Sequence, residues 1–186
     1  TPIPDEKKIL GLAPTFLMMD PPDHTALRKL VSKAFTRERV AELDARVTDF
    51  IRGRVDRVLA GAARGDEVDL VETLTSPVPT FVLAEILGVP EADRERFDPW
   101  SNAITGASLA PDKVEAAVLA VAHLFGFFIE LVERRRREPG DDLISTLVAQ
   151  QKAGEALTNW DILGFAFVFI AGGNDTTSHL LGNALA

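Results

Sequence analysis

The fold is decided by one long segment near the carboxyl end, ILGFAFVFIAGGNDTTSHLLGNAL, which spans Ile162 to Leu185. Thr158 and Asp161 precede it with the Thr-x-x-Asp spacing of a helix start, in which each side chain can bond the other residue's backbone N–H. No capping glycine or proline stops the pattern, which predicts a continuous helix of about 40 Å at about 1.5 Å per residue. We expect so long and apolar a helix in the middle of a globule, and we expect this chain to be a fragment.

The centre of the predicted helix departs from ordinary helix composition. Gly172 and Gly173 each cost about 1 kcal/mol relative to alanine. Asp175 and Thr176 compete with the backbone for hydrogen bonds. On a helical wheel, the strip that contains Asp175, with Thr176 at its edge, also contains Gly164, Val168, Ala171, Gly172 and His179. Most of these side chains are small, so a flat body could approach the strip closely.

Two interpretations of this centre stay open on the residues alone. In the first, the glycines permit a close crossing of two helices, and Asp175 is simply solvated. In the second, the segment gives up local stability because it is a functional site. A threonine hydroxyl beside an acid could then relay protons to a bound oxidant.

Helical periodicity also dominates the rest of the chain. Further helices are predicted around Val40–Leu59, Pro79–Gly88, Val118–Arg137 and Leu143–Val148. The predicted breaks lie at Pro21-Pro22, Gly61–Asp66, Pro77–Pro79, Gly106–Asp112 and Pro139-Gly140. Gly88 is the predicted C-cap before Pro90. No alternating strand pattern stands out, so we predict a single all-α domain over residues 1–186.

Composition and charge narrow the function classes. The chain has 20 Lys and Arg against 28 Asp and Glu, a net charge of −8, which argues against nucleic-acid binding. It has no cysteine, which excludes disulfides, cysteine-ligated metal sites and a catalytic thiol within these residues. The longest apolar run, Ile162–Gly173, is shorter than the roughly 20 residues of a membrane span. No signal-peptide pattern opens the sequence, and we expect a cytoplasmic location without a membrane span.

A second segment carries cations close to an apolar stripe. Asp20–Asp23 is typical of a helix entry, and the residues after it place Leu27, Leu30, Val31, Ala34 and Phe35 on one face. His24 lies within that apolar arc and Arg28 borders it. Such cations need an anion, which is either a ligand carboxylate or phosphate, or an internal Asp or Glu. Lys29 and Lys33 point the other way, toward solvent.

Four motifs resemble the cytochrome P450 monooxygenases, particularly the soluble bacterial members. MDPPDHTALR at Met19–Arg28 resembles the family's entry into its C helix, and AGGNDTT at Ala171–Thr177 resembles the centre of its long I helix. SPVP with LAEILGVP, over Ser76–Pro90, and DDLIS at Asp141–Ser145 are similar to stretches between them. The motifs follow in the family's order and spacing. The resemblance implies a partial P450 fold that begins before the C helix and is truncated within the I helix.

The resemblance also implies a haem cofactor and residues that would meet it. His24 and Arg28 match positions that hydrogen-bond the haem propionates, which would supply the anion that this helix requires. Ala171 and Gly172 match positions where the I helix approaches the haem and dioxygen.

The resemblance assigns the reaction chemistry to the same helix. Asp175 and Thr176 match the acid–alcohol pair that delivers protons during dioxygen activation. Val168 and Ala171 match positions that face the substrate. The family inserts one oxygen atom from O2 into a lipophilic small molecule, with electrons from a ferredoxin-type donor or a reductase.

One departure from the family pattern concerns the iron ligand. The family binds iron through a cysteine thiolate, which promotes O–O cleavage, and this chain has none. We therefore predict no metal ligand within it and an inactive chain on its own. His123 and His179 are interpreted as ordinary buried or surface histidines. The alternative function is a non-catalytic all-α binding or interaction module, while a di-iron bundle is disfavoured because no histidine has Glu-x-x-His spacing.

Overall fold

A computed structural model describes residues 19–32, 35–106, 114–155 and 157–185. Every regular element within these ranges is helical, as the sequence predicts. A π-helical turn, Val71–Thr75, and a 3-10 turn, Glu91–Asp93, accompany the α-helices. The α-helices are α1 (Asp23–Ser32), α2 (Arg37–Arg64), α3 (Pro77–Leu87), α4 (Arg94–Gly106), α5 (Val114–Arg137), α6 (Leu143–Lys152) and α7 (Asn159–Leu185).

Two predicted breaks were misplaced. The break at Pro77–Pro79 is wrong, because these residues form the first turn of α3, where a proline's missing N–H has no helical partner to lose. The break at Gly61–Asp66 begins too early, since α2 continues to Arg64 and the chain turns at Gly65, whose φ is +81°. Gly88 caps α3 with a φ of +77°, as predicted.

Helix α4 was not predicted, and it changes the interpretation of one loop. It contains Pro99 in its interior, and that proline hides the helical pattern. Phe97 is fully buried and its ring packs edge-on against Phe128 of α5, with centroids 6.4 Å apart. The predicted break at Gly106–Asp112 is therefore preceded by a helix that continues through Gly106. Residues 107–112 lie outside the described part of the chain.

The core forms where α5, α6 and α7 meet. Side chains of α5 recur at helical spacing as predicted, and Leu124, Phe128 and Leu131 are buried, although Val118 at the start of that stripe is 63% exposed. The buried side chains of α6 and α7 that complete the core are Leu143, Ile144, Leu147, Val148, Ile162, Leu163, Phe165, Ala166 and Ile170. The apolar part of α7 therefore runs through the centre of the described structure.

Buried ion pairs hold the helix ends around this core. Arg135 near the end of α5 lies 2.7 Å from Asp142 and donates to the carbonyl oxygen of Gly88 at 3.0 Å. Asp142 also caps α6 by accepting the backbone N–H of Ser145 at 2.7 Å. These contacts join the ends of α3 and α5 to the start of α6. Because α7 packs on α3, they help to fix the surroundings of α7.

Helix α5 is long and apolar enough, by length and composition alone, to cross a membrane. In the structure, 39% of its most apolar 18-residue segment is buried. The sequence argument missed it because polar residues interrupt the apolar run. Its buried side chains belong to the core described above, and core helices of globular proteins meet the same criterion.

Candidate functional site

Helix α7 begins with the reciprocal cap that the sequence predicts. The backbone N–H and hydroxyl of Thr158 donate to Asp161 Oδ2 at 2.7 and 2.6 Å. The backbone N–H of Asp161 donates in return to Thr158 Oγ1 at 3.2 Å. From this cap the helix continues without interruption to Leu185.

The middle of α7 has an open front face, and between Ile170 and Asn174 it also has a largely buried back face. We define the back face by Ile170, Gly173 and Asn174, of which Ile170 and Asn174 are almost completely buried. Gly164, which shares the wheel strip, is buried, so the open surface is shorter than predicted. We define the front face by Val168, Ala171, Gly172, Asp175, Thr176 and His179, all half-buried or exposed.

The two adjacent glycines have different environments. A Cβ atom on Gly172 would meet no other group within 4 Å. A Cβ atom on Gly173 would lie 2.9 Å from Cδ2 of Leu83 in α3. The helix-crossing interpretation therefore explains Gly173, and it does not explain Gly172, which leaves open space in front of the helix.

The acid and the hydroxyl of the predicted pair lie side by side on the front face. Thr176 is exposed, and its Oγ1 donates to the carbonyl oxygen of Gly172 at 2.9 Å. Oδ1 of Asp175 lies 3.4 Å from Nε2 of His179, one turn further along. The side chains of Asp175 and His179 are 36% and 59% exposed, so the acid is solvated and also has a titratable neighbour.

Helix α1 places its two cationic side chains differently. Its apolar stripe is confirmed at Leu27, Leu30 and Val31, which are buried. His24 is half-buried and Arg28 is exposed. Among the other predicted residues of this helix, Lys29 is exposed, and Lys33 and Ala34 lie outside the described residues.

Helix α1 is connected to α7 through the residues that follow it. Phe35 is 39% exposed, and its ring stacks on Phe169 of α7 with centroids 5.1 Å apart. Nε2 of Gln150 in α6 donates to the carbonyl oxygen of Leu30 at 3.4 Å. Five predicted residues thus share α7, whereas His24 and Arg28 belong to a separate helix, which bonds α6 and is followed by Phe35, whose ring packs on α7.

Sequence reasoning missed Asn174. Its side chain is buried on the back face, where it bonds Thr80 of α3 and Ser101 of α4 at 3.1 and 3.2 Å. The helical wheel carries a signal, because Asn174 is polar yet lies about 100° from Asp175, outside the open strip. Its place in the AGGNDTT motif does not by itself indicate a buried role.

The remaining histidine does not mark a metal site. His123 on α5 is exposed, and its ring centroid lies 5.8 Å from that of Trp100. Within the described ranges, no group of three or more His, Asp or Glu side chains is placed to hold a metal ion.

The front face leaves room for a flat, largely apolar group. Ala171 and the open space beyond Gly172 allow a planar body to approach the helix, and the half-buried Val168 supplies an apolar contact. His24 and Arg28 on α1 carry N–H donors, which are groups that bind carboxylates. The donor set thus suits a haem, whose two propionates are anionic.

Comparisons with known protein sequences find relatives that cover most of this chain. No protein-family model matches the chain. The chain is 39% identical over 184 residues to "Cytochrome P450 130" of Mycobacterium tuberculosis, covering 97% of this chain and 44% of that protein. It is 38% identical over 173 residues to "Vitamin D(3) 25-hydroxylase" of Pseudonocardia autotrophica, covering 92% of this chain and 41% of that protein.

Solved structures agree in fold as well as in sequence. Cytochrome P450 CYP109Q5 from Chondromyces apiculatus superposes with a TM-score of 0.77 at 38% identity, over 94% of this chain and 42% of that one. Substrate-free CYP109E1 from Bacillus megaterium gives a TM-score of 0.79 at 30% identity, over 96% of this chain and 46% of that one. The chain belongs to the cytochrome P450 family.

The match covers part of a P450 fold. The chain spans less than half the length of the curated relatives described above. The motif in α1 is the one that resembles the family's C helix, and the motif in α7 is the one that resembles its I helix. The described helices therefore correspond to the part of the P450 fold that contains α7 and its front face. They share this fold with the relatives described above.

Proposed function

We propose that this chain forms the distal wall and one propionate-binding helix of a haem-dependent monooxygenase that acts on a lipophilic small molecule. The proposal rests on the open space in front of Gly172 in a helix of the P450 family. Next to this space lie the half-buried acid Asp175 and the exposed hydroxyl of Thr176. When bound, the haem would supply the oxidising chemistry, using O2 and electrons from a ferredoxin-type donor or a reductase. We place the reaction in the cytoplasm.

Four residues would bind the cofactor. His24 and Arg28 would hold the propionates through charge-assisted hydrogen bonds, which are stronger than neutral ones. Ala171 and Gly172 would let the macrocycle lie close to the helix, since neither has a side chain beyond Cβ. Val168 would exclude water and, together with Ala171, contact the substrate.

Two further residues would handle the proton. The hydroxyl of Thr176 is held by the Gly172 carbonyl, so it must rotate away from that oxygen before it can donate toward the open face. Asp175 would hold the next proton beside it. His179 is exposed and lies 3.4 Å from Asp175, so a proton from solvent could reach the acid through the imidazole.

The chain would need a thiolate from residues outside this sequence, because it contains no cysteine. We propose that the 186 residues alone are inactive for this reason. The second candidate is a non-catalytic all-α binding or interaction module, which would need no iron ligand. The coding sequence beyond Ala186 separates the two: an in-frame continuation with a cysteine-bearing loop supports the monooxygenase, and a stop codon there favours the module.

A chimaera provides the functional test. In it, this chain replaces the matching 42% of CYP109Q5 from Chondromyces apiculatus, and the rest of that protein supplies the family's ligand loop. The reduced, carbon monoxide-treated chimaera should show the absorption band of thiolate-ligated haem, whereas the 186-residue chain with added haem should not. A thiolate band from the 186-residue chain would contradict our account of the missing ligand, and a folded chimaera without haem would contradict the proposed function.

A further inference from the structure

The side chain of Asn174 is buried at the back of α7, directly before the front-face residues Asp175 and Thr176. It is only 2% exposed. A buried polar group that lacks partners costs about 1–3 kcal/mol, so its hydrogen bonds determine where it can stay.

The amide of Asn174 uses its full hydrogen-bonding capacity. Oδ1 lies 3.1 Å from the hydroxyl of Thr80 in α3, whose one proton is shared with the carbonyl oxygen of Ser76, also at 3.1 Å, and it accepts from the hydroxyl of Ser178 at 3.4 Å. Nδ2 donates to Oγ of Ser101 at 3.2 Å and to Oδ1 of Asn102 at 3.4 Å, both in α4. A carboxamide offers two acceptor and two donor positions, and all four are occupied here. The bonds therefore join α7 to two other helices at once.

The residue before it adds a packing constraint. Gly173 lies so close to Leu83 of α3 that a Cβ atom there would be 2.9 Å from Cδ2. Rotation of α7 by one residue would move each position by about 100°. A rotation in either sense would break the bonds of Asn174, and the sense that brings Asn174 to the place of Gly173 would also drive a side chain into Leu83. Two consecutive positions thus fix the rotation of the helix.

We propose that Asn174 is a positioning residue, which fixes the rotation of α7 about its axis and so keeps Asp175 and Thr176 on the open face. The value of this orientation for proton transfer rests on the proposed function. The orientation itself can be measured without haem, so the two ideas can fail separately.

Introduced cysteines can report the orientation, because the chain has none of its own. Gly172→Cys places a thiol on the front face, and Ile170→Cys places one on the back face, where Ile170 is fully buried. Leu147→Cys places a third on a different helix, α6, where Leu147 is also fully buried. The rate of reaction with a water-soluble thiol reagent measures the access of each position, and we expect the Gly172→Cys variant to react much faster than the other two.

The decisive change is Asn174→Leu, which keeps the approximate size of the side chain and removes the hydrogen bonds. Asn183→Leu is the matched control, because Asn183 is exposed on the same helix. Asn174→Leu should raise the reaction rate of Ile170→Cys by roughly tenfold or more and leave that of Leu147→Cys unchanged. Asn183→Leu should change neither rate.

Each alternative result overturns the proposal. A parallel rise at Ile170→Cys and Leu147→Cys would show that Asn174 only stabilises the whole fold, and unchanged rates would show that it does not control rotation. If Asn174→Leu fails to fold, Thr80→Val decides, because it removes one partner hydroxyl and keeps the side-chain shape. It should also raise the Ile170→Cys rate selectively, by severalfold, and no selective rise would refute the proposal. None of these results depends on haem binding.

Discussion

Gly172 and Gly173 are neighbours of the same residue type, and they serve α7 in different ways. Gly173 is required by packing, because Leu83 occupies the space that a side chain would need. Gly172 faces open space, and no packing contact of the described residues requires it. The comparison teaches that packing explains the glycine at the back of α7, whereas the glycine at the front borders the open space that the proposed function requires.

The largest expected effect is a difference in the free energy of unfolding between substitutions on the two faces of α7. Ile170→Ala on the back face should lower the free energy of unfolding by about 2–5 kcal/mol, because it leaves a cavity in the core. Val168→Ala on the half-buried front face should cost less than about 1 kcal/mol. Denaturant unfolding of the 186-residue chain measures both, and equal losses would remove the distinction between the faces.

The next largest effect is expected on haem affinity, from substitutions of His24 and Arg28 in α1. In the chimaera, His24→Ala and Arg28→Ala should each weaken haem affinity by roughly tenfold or more, since each removes a hydrogen bond to a charged group. Lys29→Ala is the control, because Lys29 is exposed on the same helix and was predicted to point away from the apolar stripe. Haem titration measures the affinities. An equal loss in all three variants would mean that general charge, rather than a propionate site, attracts the haem.

The two glycines themselves should respond with opposite signs. Gly173→Leu should destabilise the chain by about 1–3 kcal/mol, because it overpacks the contact with Leu83. Gly172→Leu should stabilise it by up to about 1 kcal/mol, because leucine is the better helix former. Thermal unfolding followed by circular dichroism gives the signs. Destabilisation of both variants to the same extent would show that Gly172 is also packed.

The smallest effect on the fold is expected at Thr176. Thr176→Ala in the chimaera should change stability by less than about 0.5 kcal/mol and leave haem content unchanged, because the side chain is exposed. Product formed per electron consumed should nevertheless fall, since a proton donor is lost. Thr177→Ala, the exposed neighbour outside the front face, should keep the original yield. An undiminished yield in Thr176→Ala would remove that hydroxyl from the proposed function.

Local rules predicted the parts of the fold that depend on neighbours in sequence. The cap of α7 at Thr158 and Asp161, and the end of α3 at Gly88, follow from short-range hydrogen bonding and backbone freedom. Helix α4 was missed because Pro99 disguises its pattern, while tertiary packing of Phe97 holds it in place.

Only part of the site could be predicted from the sequence, because some of its features depend on contacts with residues that are distant in sequence. Periodicity identified the small residues of the α7 strip, but it could not separate Gly172 from Gly173. That separation depends on Leu83, which is distant in sequence, and the role of Asn174 depends in the same way on Thr80 and on α4. Periodicity indicates which face of a helix is buried, but it does not indicate which residue of a distant segment packs against that face.

The central claim is that the front face of α7 is kept clear for a haem, and the haem affinity of Gly172→Leu tests it most directly. The measurement is a haem titration of the chimaera with and without this substitution, with Asn183→Leu as the control. We predict that Gly172→Leu remains folded and loses haem affinity by roughly tenfold or more, because the new side chain fills the space needed by the macrocycle. Unchanged affinity in a folded Gly172→Leu variant would contradict the claim.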